Sequence, residues 1–133
     1  MPRIISISEA SSIALHGIVM VAKSEKQINV SKISEQTGFS KHHIAKVMQR
    51  LVKEGYLKSL RGPNGGFMLK KDPKKINLLE IYETIEGKIN EQDCLLEDQP
   101  CPFSECIFSS ILNKITAEFR DYLKSKSLDE FIK

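Results

Sequence analysis

Apolar residues recur with helical spacing in the amino-terminal part of the chain. Residues 9–23 (EASSIALHGIVMVAK) carry them at 13, 14, 18, 19, 21 and 22, which predicts a helix with a broad buried face. After a polar stretch, residues 30–38 (VSKISEQTG) predict a short helix with Ser31 as its N-cap and Gly38 at its end. Two consecutive helices are therefore expected before residue 39.

A third stretch, FSKHHIAKVMQRLVKEGY, has a basic side opposite its apolar side. Apolar residues at 44, 47, 48, 51 and 52 predict a helix that begins after Ser40 and ends near Gly55. A short helix followed by a longer basic one is typical of a helix-turn-helix, whose second helix enters the major groove of DNA. The residues expected to face DNA are Ser40, Lys41, His42, His43, Lys46, Gln49 and Arg50. From the helices alone, a solvated surface helix in a small bundle is the alternative.

Residues 56–72 (YLKSLRGPNGGFMLKKD) predict a β-hairpin. Two strand-like segments flank GPNGG, and its Asn-Gly pair is a strong signal for a tight turn. A helix-turn-helix followed by a hairpin is a winged helix, and the wing lies along the minor groove or the backbone of DNA. The wing residues expected at the DNA are Arg61, Gly62, Asn64, Gly65 and Gly66. A simple surface hairpin is the alternative.

Further helices are predicted beyond the hairpin. In INLLEIYETIEG, Asn77 and Glu80 can form a capping box. A long amphipathic helix is predicted from about Phe108 to Lys124, and SLDEFI predicts a last short helix that also begins with a capping box. A lone amphipathic helix after a winged domain is typical of a dimer interface, whereas packing on its own domain is the alternative.

The predicted fold is mostly α with a small β-hairpin wing. A winged helix-turn-helix domain occupies residues 1–87, and a cysteine-containing sensor loop occupies residues 88–106. A dimerisation helix and a C-terminal helix occupy residues 107–133.

Composition and charge favour a protein that meets a polyanion. The chain is 41% hydrophobic and 28% charged, as in ordinary globular proteins. Its longest apolar run, residues 13–22, is too short to span a bilayer, and no signal-peptide pattern is present, so we expect a cytoplasmic protein without membrane contact. Residues 1–88 hold 15 Lys and Arg against 8 Asp and Glu, but residues 89–133 hold 5 against 9. The basic part suggests nucleic acid, and an unevenly charged solvated surface is the alternative.

All three cysteines lie in one segment, CLLEDQPCPFSEC, with the spacing C-x6-C-x4-C. Thiolates grouped on a loop are typical ligands of iron–sulfur clusters. Zinc is an alternative, although no fourth sulfur or nitrogen ligand lies near the loop in sequence. Two further alternatives to a cluster are a thiol–disulfide switch and chemically inert thiols. An enzyme is not expected, because the phosphate-binding Gly-rich loop, the nucleophile elbow and the HExxH motif are absent.

Residues 33–87 resemble the core of the Rrf-type winged-helix regulators, the bacterial family that includes IscR, NsrR and CymR. The strongest match is RGPNGGFML at residues 61–69, which resembles the family's RGxxGGxxL wing. Residues 7–22 resemble the family's first helix, and residues 127–132 its terminal motif. The resemblance implies a homodimeric transcription factor that binds a partly palindromic double-stranded DNA operator. Each protomer would supply one recognition helix and one wing.

The resemblance also implies a cofactor. Cluster-binding members carry three cysteines before the dimerisation helix, and Cys94, Cys101 and Cys106 fall at that place, so a 2Fe–2S or 4Fe–4S cluster is expected. A histidine three residues after the last cysteine serves some members as fourth ligand, but this chain has Ser109 there. Other members use an acidic residue on the first helix of the partner subunit as fourth ligand, but this chain has Ser12 at that place. The remaining candidates are Glu9, His16, the loop acids Asp93 and Glu105, and a small molecule, although a histidine such as His16 is more often a core residue.

Overall fold

The computed structural model describes residues 6–89 and 101–132. Three helices come first: α1 (Glu9–Lys23), α2 (Val30–Thr37) and α3 (Lys41–Lys53). Gly38 ends α2 with a φ of +82°, and Ser40 caps α3 by accepting a hydrogen bond from the His43 amide at 3.2 Å. Both of these predicted boundaries are confirmed, because each depends on a local residue preference.

The predicted N-cap of α2 is wrong by two residues. Asn29 caps the helix instead, and its Oδ1 accepts a hydrogen bond from the Lys32 amide at 2.8 Å. The reason lies in the preceding residue, because Ile28 exchanges two backbone hydrogen bonds with Phe67 and is held extended. Asn29 is therefore the first residue free to turn into the helix, and Ser31 falls inside it.

The predicted hairpin is present as strands β1 (Leu57–Leu60) and β2 (Gly66–Leu69). They pair antiparallel, with Leu57 opposite Leu69 and Leu60 opposite Gly66. The bridge between Ile28 and Phe67 adds the connection between α1 and α2 to the other side of β2. The wing is thus fixed at its base to the helical part of the domain.

Two longer-range contacts place the end of the hairpin. The Tyr56 hydroxyl donates to Glu80 Oε1 at 3.3 Å, and the Lys71 Nζ lies 4.5 Å from the centroid of the Tyr56 ring. Burial and then the neighbouring Glu80 carboxylate raise the pKa of Tyr56, which favours the protonated hydroxyl that donates to Glu80.

After the hairpin come a short 3-10 helix (Pro73–Lys75), α4 (Leu78–Glu86), α5 (Ile111–Ser125) and a final 3-10 turn (Leu128–Phe131). Capping boxes begin α4 and the final turn, as predicted, with Asn77 and Glu80 in the first and Ser127 and Glu130 in the second. α5 starts three residues later than predicted. Ser109 and Ser110 have φ values of +49° and +67°, and this left-handed backbone cannot continue a right-handed helix.

The core lies where α1, α3 and α4 meet. Its fully buried members include Ile13, Ile18, Ile44, Met48, Leu51 and Ile81. α1 and α3 approach closely at Gly17, where a Cβ atom would lie 2.8 Å from Met48 Sδ. The chain's end joins the same core, since Leu128 is fully buried and its amide donates to the Ile76 carbonyl at 2.9 Å. Within the described residues, no helix is long and apolar enough to cross a membrane.

Candidate nucleic-acid interface and cysteine loop

The second helix of the helix-turn-helix presents a basic surface. Its apolar side is buried through Ile44, Val47, Met48 and Leu51. The other side exposes Lys41, His42, Lys46, Gln49 and Arg50, with Ser40 exposed before the helix and His43 half-buried. The helix contains no acidic residue. Seven side chains expected at DNA therefore lie at or near the surface on one short element.

One acidic side chain from another element reaches this helix. Glu9 Oε1 lies 3.3 Å from His43 Nδ1, and the two side chains are 58% and 35% exposed. The two residues are 34 positions apart, so the sequence carried no local signal for the contact. Glu9, expected as a candidate fourth ligand, thus touches the predicted recognition helix of its own protomer.

His16 also lies on α1, and it is exposed rather than buried in the core. Its Nδ1 lies 2.7 Å from the Ser12 carbonyl oxygen, and its ring is 6.4 Å from the ring of Phe39, centroid to centroid. The exposed position leaves His16 accessible to a partner.

The wing has an exposed tip and a packed base. Arg61, Gly62, Pro63 and Asn64 are exposed, whereas Gly65 and Gly66 are half-buried. At Gly65, a Cβ atom would clash with the Leu60 carbonyl oxygen. The two consecutive glycines, both expected at DNA, are therefore needed for packing whether or not they touch DNA.

The connection between α1 and α2 contributes a contact that sequence reasoning missed. The Gln27 Nε2 donates a hydrogen bond to the carbonyl oxygen of Asn64 in the wing tip. Lys26 lies beside it, and both line a groove between the connection and the wing. The sequence marked this segment only as a polar spacer, because nothing in it signals proximity to a hairpin more than thirty residues later.

The described part of the cysteine loop holds Cys101 and Cys106, which are both exposed and take no part in a disulfide there. Glu105 is exposed as well. Cys94 and Asp93 lie outside the described residues. Over residues 6–89 and 101–132, no three or more His, Cys, Asp or Glu side chains are grouped so that they could hold a metal ion. The described residues therefore supply two accessible thiols, and the third expected thiolate, Cys94, lies outside them.

The base of that loop is tied to the start of α1. The Ser8 Oγ donates to Glu86 Oε1 at the end of α4, and the Ser6 amide donates to the Tyr82 hydroxyl at 3.2 Å. Ser8 is also the N-cap of α1 and accepts from the Ser11 amide at 3.1 Å. The residue that follows it, Glu9, is the one that reaches His43.

α5 has one buried and one exposed apolar side. Thr116 and Leu123 are buried, and the Phe119 ring packs edge-on against Tyr82 with centroids 5.2 Å apart. Large apolar side chains remain exposed on and before the helix: Phe103, Ile107, Phe108, Ile111, Ile115 and Tyr122. Of these, Ile111, Ile115 and Tyr122 lie on one side of α5 by their helical spacing, and exposed apolar groups on one side of a helix are typical of an interaction surface.

A helix-turn-helix followed by a hairpin wing defines a winged-helix protein of the DNA-binding type. Residues 7–133 match the family model described as Rrf2, an iron-dependent transcriptional regulator. This chain therefore belongs to the Rrf2 family of transcriptional regulators, which are not enzymes, and the resemblance seen in the sequence is confirmed.

Individual relatives agree with this assignment. The regulator NsrR of Bacillus licheniformis is 33% identical over 111 residues, which are 82% of this chain and 78% of that protein. IscR of Xenorhabdus nematophila is 24% identical over 128 residues, 96% of this chain and 74% of that protein. The structure of CymR, the global cysteine regulator of B. subtilis, has a TM-score of 0.77 at 24% identity and covers 96% of each chain.

Proposed function

We propose that this protein is a homodimeric repressor that binds a partly palindromic DNA operator, and that an iron–sulfur cluster held by Cys94, Cys101 and Cys106 controls its affinity for that operator. The observation that carries the proposal is the exposed, acid-free polar side of α3 in a family described as iron-dependent transcriptional regulators. The three cysteines of the chain supply the link between iron and DNA binding.

The proposed DNA contacts divide into two groups. On α3, Gln49 would read a base edge, whereas Lys46 and Arg50 would contact bases or phosphates. Lys41, His42 and His43 would approach the DNA from the first turn, where Ser40 serves as cap and phosphate contact. On the wing, Arg61 would enter the minor groove or meet the backbone, with Gly62, Asn64, Gly65 and Gly66 keeping the tip thin.

The proposed dimer uses the exposed apolar side of α5. Ile111, Ile115 and Tyr122 are 47%, 43% and 53% exposed, and a second copy of this chain would cover them in a twofold interface. A twofold dimer places its two recognition helices at half-sites about 34 Å apart, one turn of DNA. A small change in the relation of the two heads would then change operator affinity.

The residues present fit an iron–sulfur cluster by the chemistry of their donors. Cys101 and Cys106 are exposed thiols without a disulfide in the described residues, and thiolates are the ligands these clusters take. When bound, such a cluster supplies a centre sensitive to redox state, nitric oxide or iron–sulfur status. The cysteines would hold it close to the base of α5, the helix proposed to join the protomers.

Glu9 and His16 are the proposed candidates for the fourth ligand. Both side chains are exposed on α1, where a partner subunit could reach them. Glu9 differs from His16 because its carboxylate already contacts His43 on the recognition helix. A change in what Glu9 binds would therefore alter a contact at the DNA-binding surface.

Isolation of the protein without air tests whether it binds an iron–sulfur cluster. We expect a coloured protein that contains iron and acid-labile sulfide, because three thiolates from one loop provide most of a cluster's ligands. Cys101→Ala should lose the colour and the iron. Visible absorption and elemental analysis of both proteins measure this.

Ser104→Ala is the matched control, because Ser104 lies between the same two cysteines, is exposed and leaves every thiol in place. It should keep the iron. A wild-type protein that is colourless and iron-free when isolated without air would refute the cluster, and a reversible disulfide in that protein would point to a thiol switch instead.

A further inference from the structure

We propose that Gln27 is a positioning residue for DNA binding, which fixes the wing tip against the connection between α1 and α2. The inference rests on the proposed DNA-binding function and adds a residue outside the recognition helix and the wing. It starts from a hydrogen bond between two segments that are far apart in sequence, donated by Gln27 Nε2 to the Asn64 carbonyl oxygen.

The base of the wing is already fixed without Gln27. The Phe67 amide donates to the Ile28 carbonyl at 2.8 Å, and the Ile28 amide donates to the Phe67 carbonyl at 3.2 Å. The residues Ile28 and Phe67 both lie in the core and are 9% and 5% exposed, respectively. At Gly66 the two backbones are so close that a Cβ atom would lie 2.6 Å from the Ile28 carbonyl oxygen.

The tip, residues 61–64, extends beyond this fixed base and is exposed throughout. Its turn is closed internally by the Gly65 amide, which donates to the Gly62 carbonyl at 2.9 Å. In the part of the chain that the structure describes, the bond from Gln27 joins this tip to another element. The hydrogen bond from Gln27 ends on Asn64, the residue after Pro63. The ring of Pro63 fixes its own φ angle, so a single hydrogen bond at Asn64 also restricts the neighbouring residues of the turn.

The position of Gln27 separates this role from a role in folding. Its side chain is half-buried beside the groove and is not a member of the apolar core. It carries no charge, so its loss removes no ionic contact with DNA. Arg61, the wing's proposed DNA contact, lies on the tip that Gln27 restrains.

A restrained tip would lower the entropy lost when the wing docks, because ordering a mobile loop on binding reduces affinity. Without the bond from Gln27, Arg61 could still reach DNA, but from a more variable position. Affinity should therefore fall while the number of phosphate contacts, and with it the salt dependence, stays the same. Loss of a true phosphate contact behaves differently, because it lowers the salt slope by about one.

The experiment compares Gln27→Met with wild-type protein on a duplex that wild type has selected from a random-sequence pool. Methionine keeps the length of the side chain but cannot donate the hydrogen bond. We expect operator affinity to fall roughly three- to tenfold, with an unchanged salt slope and an unchanged melting temperature. Gln36→Met, an exposed glutamine on α2, is the matched control and should bind as wild type does.

Three further tests identify the cause. Backbone ¹⁵N relaxation should show order parameters at Gly62 and Gly65 that fall below about 0.6 in Gln27→Met and stay high in the control. In a double-mutant cycle, Gln27→Met should weaken binding less in an Arg61→Ala background than in wild type. Gln27 acts through the DNA contact of Arg61, and that contact is already lost in the Arg61→Ala protein. Gln27→Glu should behave like Gln27→Met or worse, since an ionised carboxylate cannot donate.

The outcomes are distinguishable. Wild-type affinity in Gln27→Met, with a rigid tip, overturns the role of Gln27 while leaving the proposed function standing. A mobile tip with wild-type affinity shows that the bond exists but does not position the wing for DNA, which also overturns the inference. If wild-type protein selects and retains no duplex even at low salt, the proposed function itself is wrong.

Discussion

Gly66 lies where the wing passes closest to the helical part of the domain. Its φ of +153° is one that residues with a side chain rarely adopt, and a Cβ atom there would lie 2.6 Å from the Ile28 carbonyl oxygen. That carbonyl accepts the Phe67 amide, so it cannot move away without loss of the bridge. The absence of a side chain at this position is therefore part of what holds the wing in place.

Gly66→Ala should lower the free energy of unfolding by about 2–4 kcal/mol, because backbone strain and a backbone clash add at one residue. Urea unfolding followed by circular dichroism at one protein concentration measures the loss. Gly62→Ala is the control for strain alone, since Gly62 has a φ of +104° but open space around it, and it should cost about 1 kcal/mol. Equal effects of the two substitutions would show that the approach to Ile28 is not tight.

Single residues also show what the sequence could and could not predict. Ser40, Gly38 and Asn77 were predicted as caps because capping depends on the residue type and its immediate neighbours. The contacts between Glu9 and His43 and between Gln27 and Asn64 span 34 and 37 positions. No local pattern encodes such pairs, so they emerge only once the helices and the hairpin are packed.

At the scale of elements, α5 shows two apolar sides with different roles. The side with Thr116 and Leu123 is buried within the domain, and the side with Ile111, Ile115 and Tyr122 is exposed. The sequence predicted one continuous stripe and left dimerisation and self-packing as alternatives. The structure shows the self-packing side, and the remaining apolar surface supports the proposed dimer.

Ile115→Glu should convert a dimer into a monomer, because an unpaired carboxylate in an apolar interface costs at least about 3 kcal/mol. That corresponds to a dimer dissociation constant that is more than about 100-fold larger, a change that sedimentation equilibrium can resolve. Lys124→Glu is the control. It adds an acid to the same helix nine positions later, on the opposite side from Ile115. If the Ile115 variant remains a dimer and Lys124→Glu does too, the interface lies elsewhere.

Element boundaries were less predictable than element types. α2 begins at Val30 because the bridge from Ile28 to Phe67 fixes the preceding chain, and α5 begins at Ile111 because two serines adopt left-handed backbone. Neither cause is visible in a helical periodicity. α3 was predicted well because both of its ends and its buried side depend on residues within one short segment.

At the scale of the whole molecule, α1 connects the parts to which the account assigns functions. Its N-cap Ser8 donates a hydrogen bond to Glu86 at the end of α4, and Glu9 contacts His43 on α3, the proposed recognition helix. The basic excess of residues 1–88 and the acidic excess of residues 89–133 distinguish the proposed DNA-binding part from the part proposed to sense and to dimerise. Within the described residues, α1 therefore joins the end of α4 to α3 through two adjacent residues, Ser8 and Glu9.

In the proposed function, the state of the cysteine loop sets operator affinity. The direct measurement is fluorescence anisotropy of one labelled operator duplex, titrated without air with the iron-loaded protein and again after chelation of its iron, at the same salt concentration. We expect the two dissociation constants to differ by about tenfold or more, within the usual range of coupling free energies, and to be equal for Cys101→Ala under the two treatments. Equal affinities before and after iron removal in the wild-type protein would contradict it.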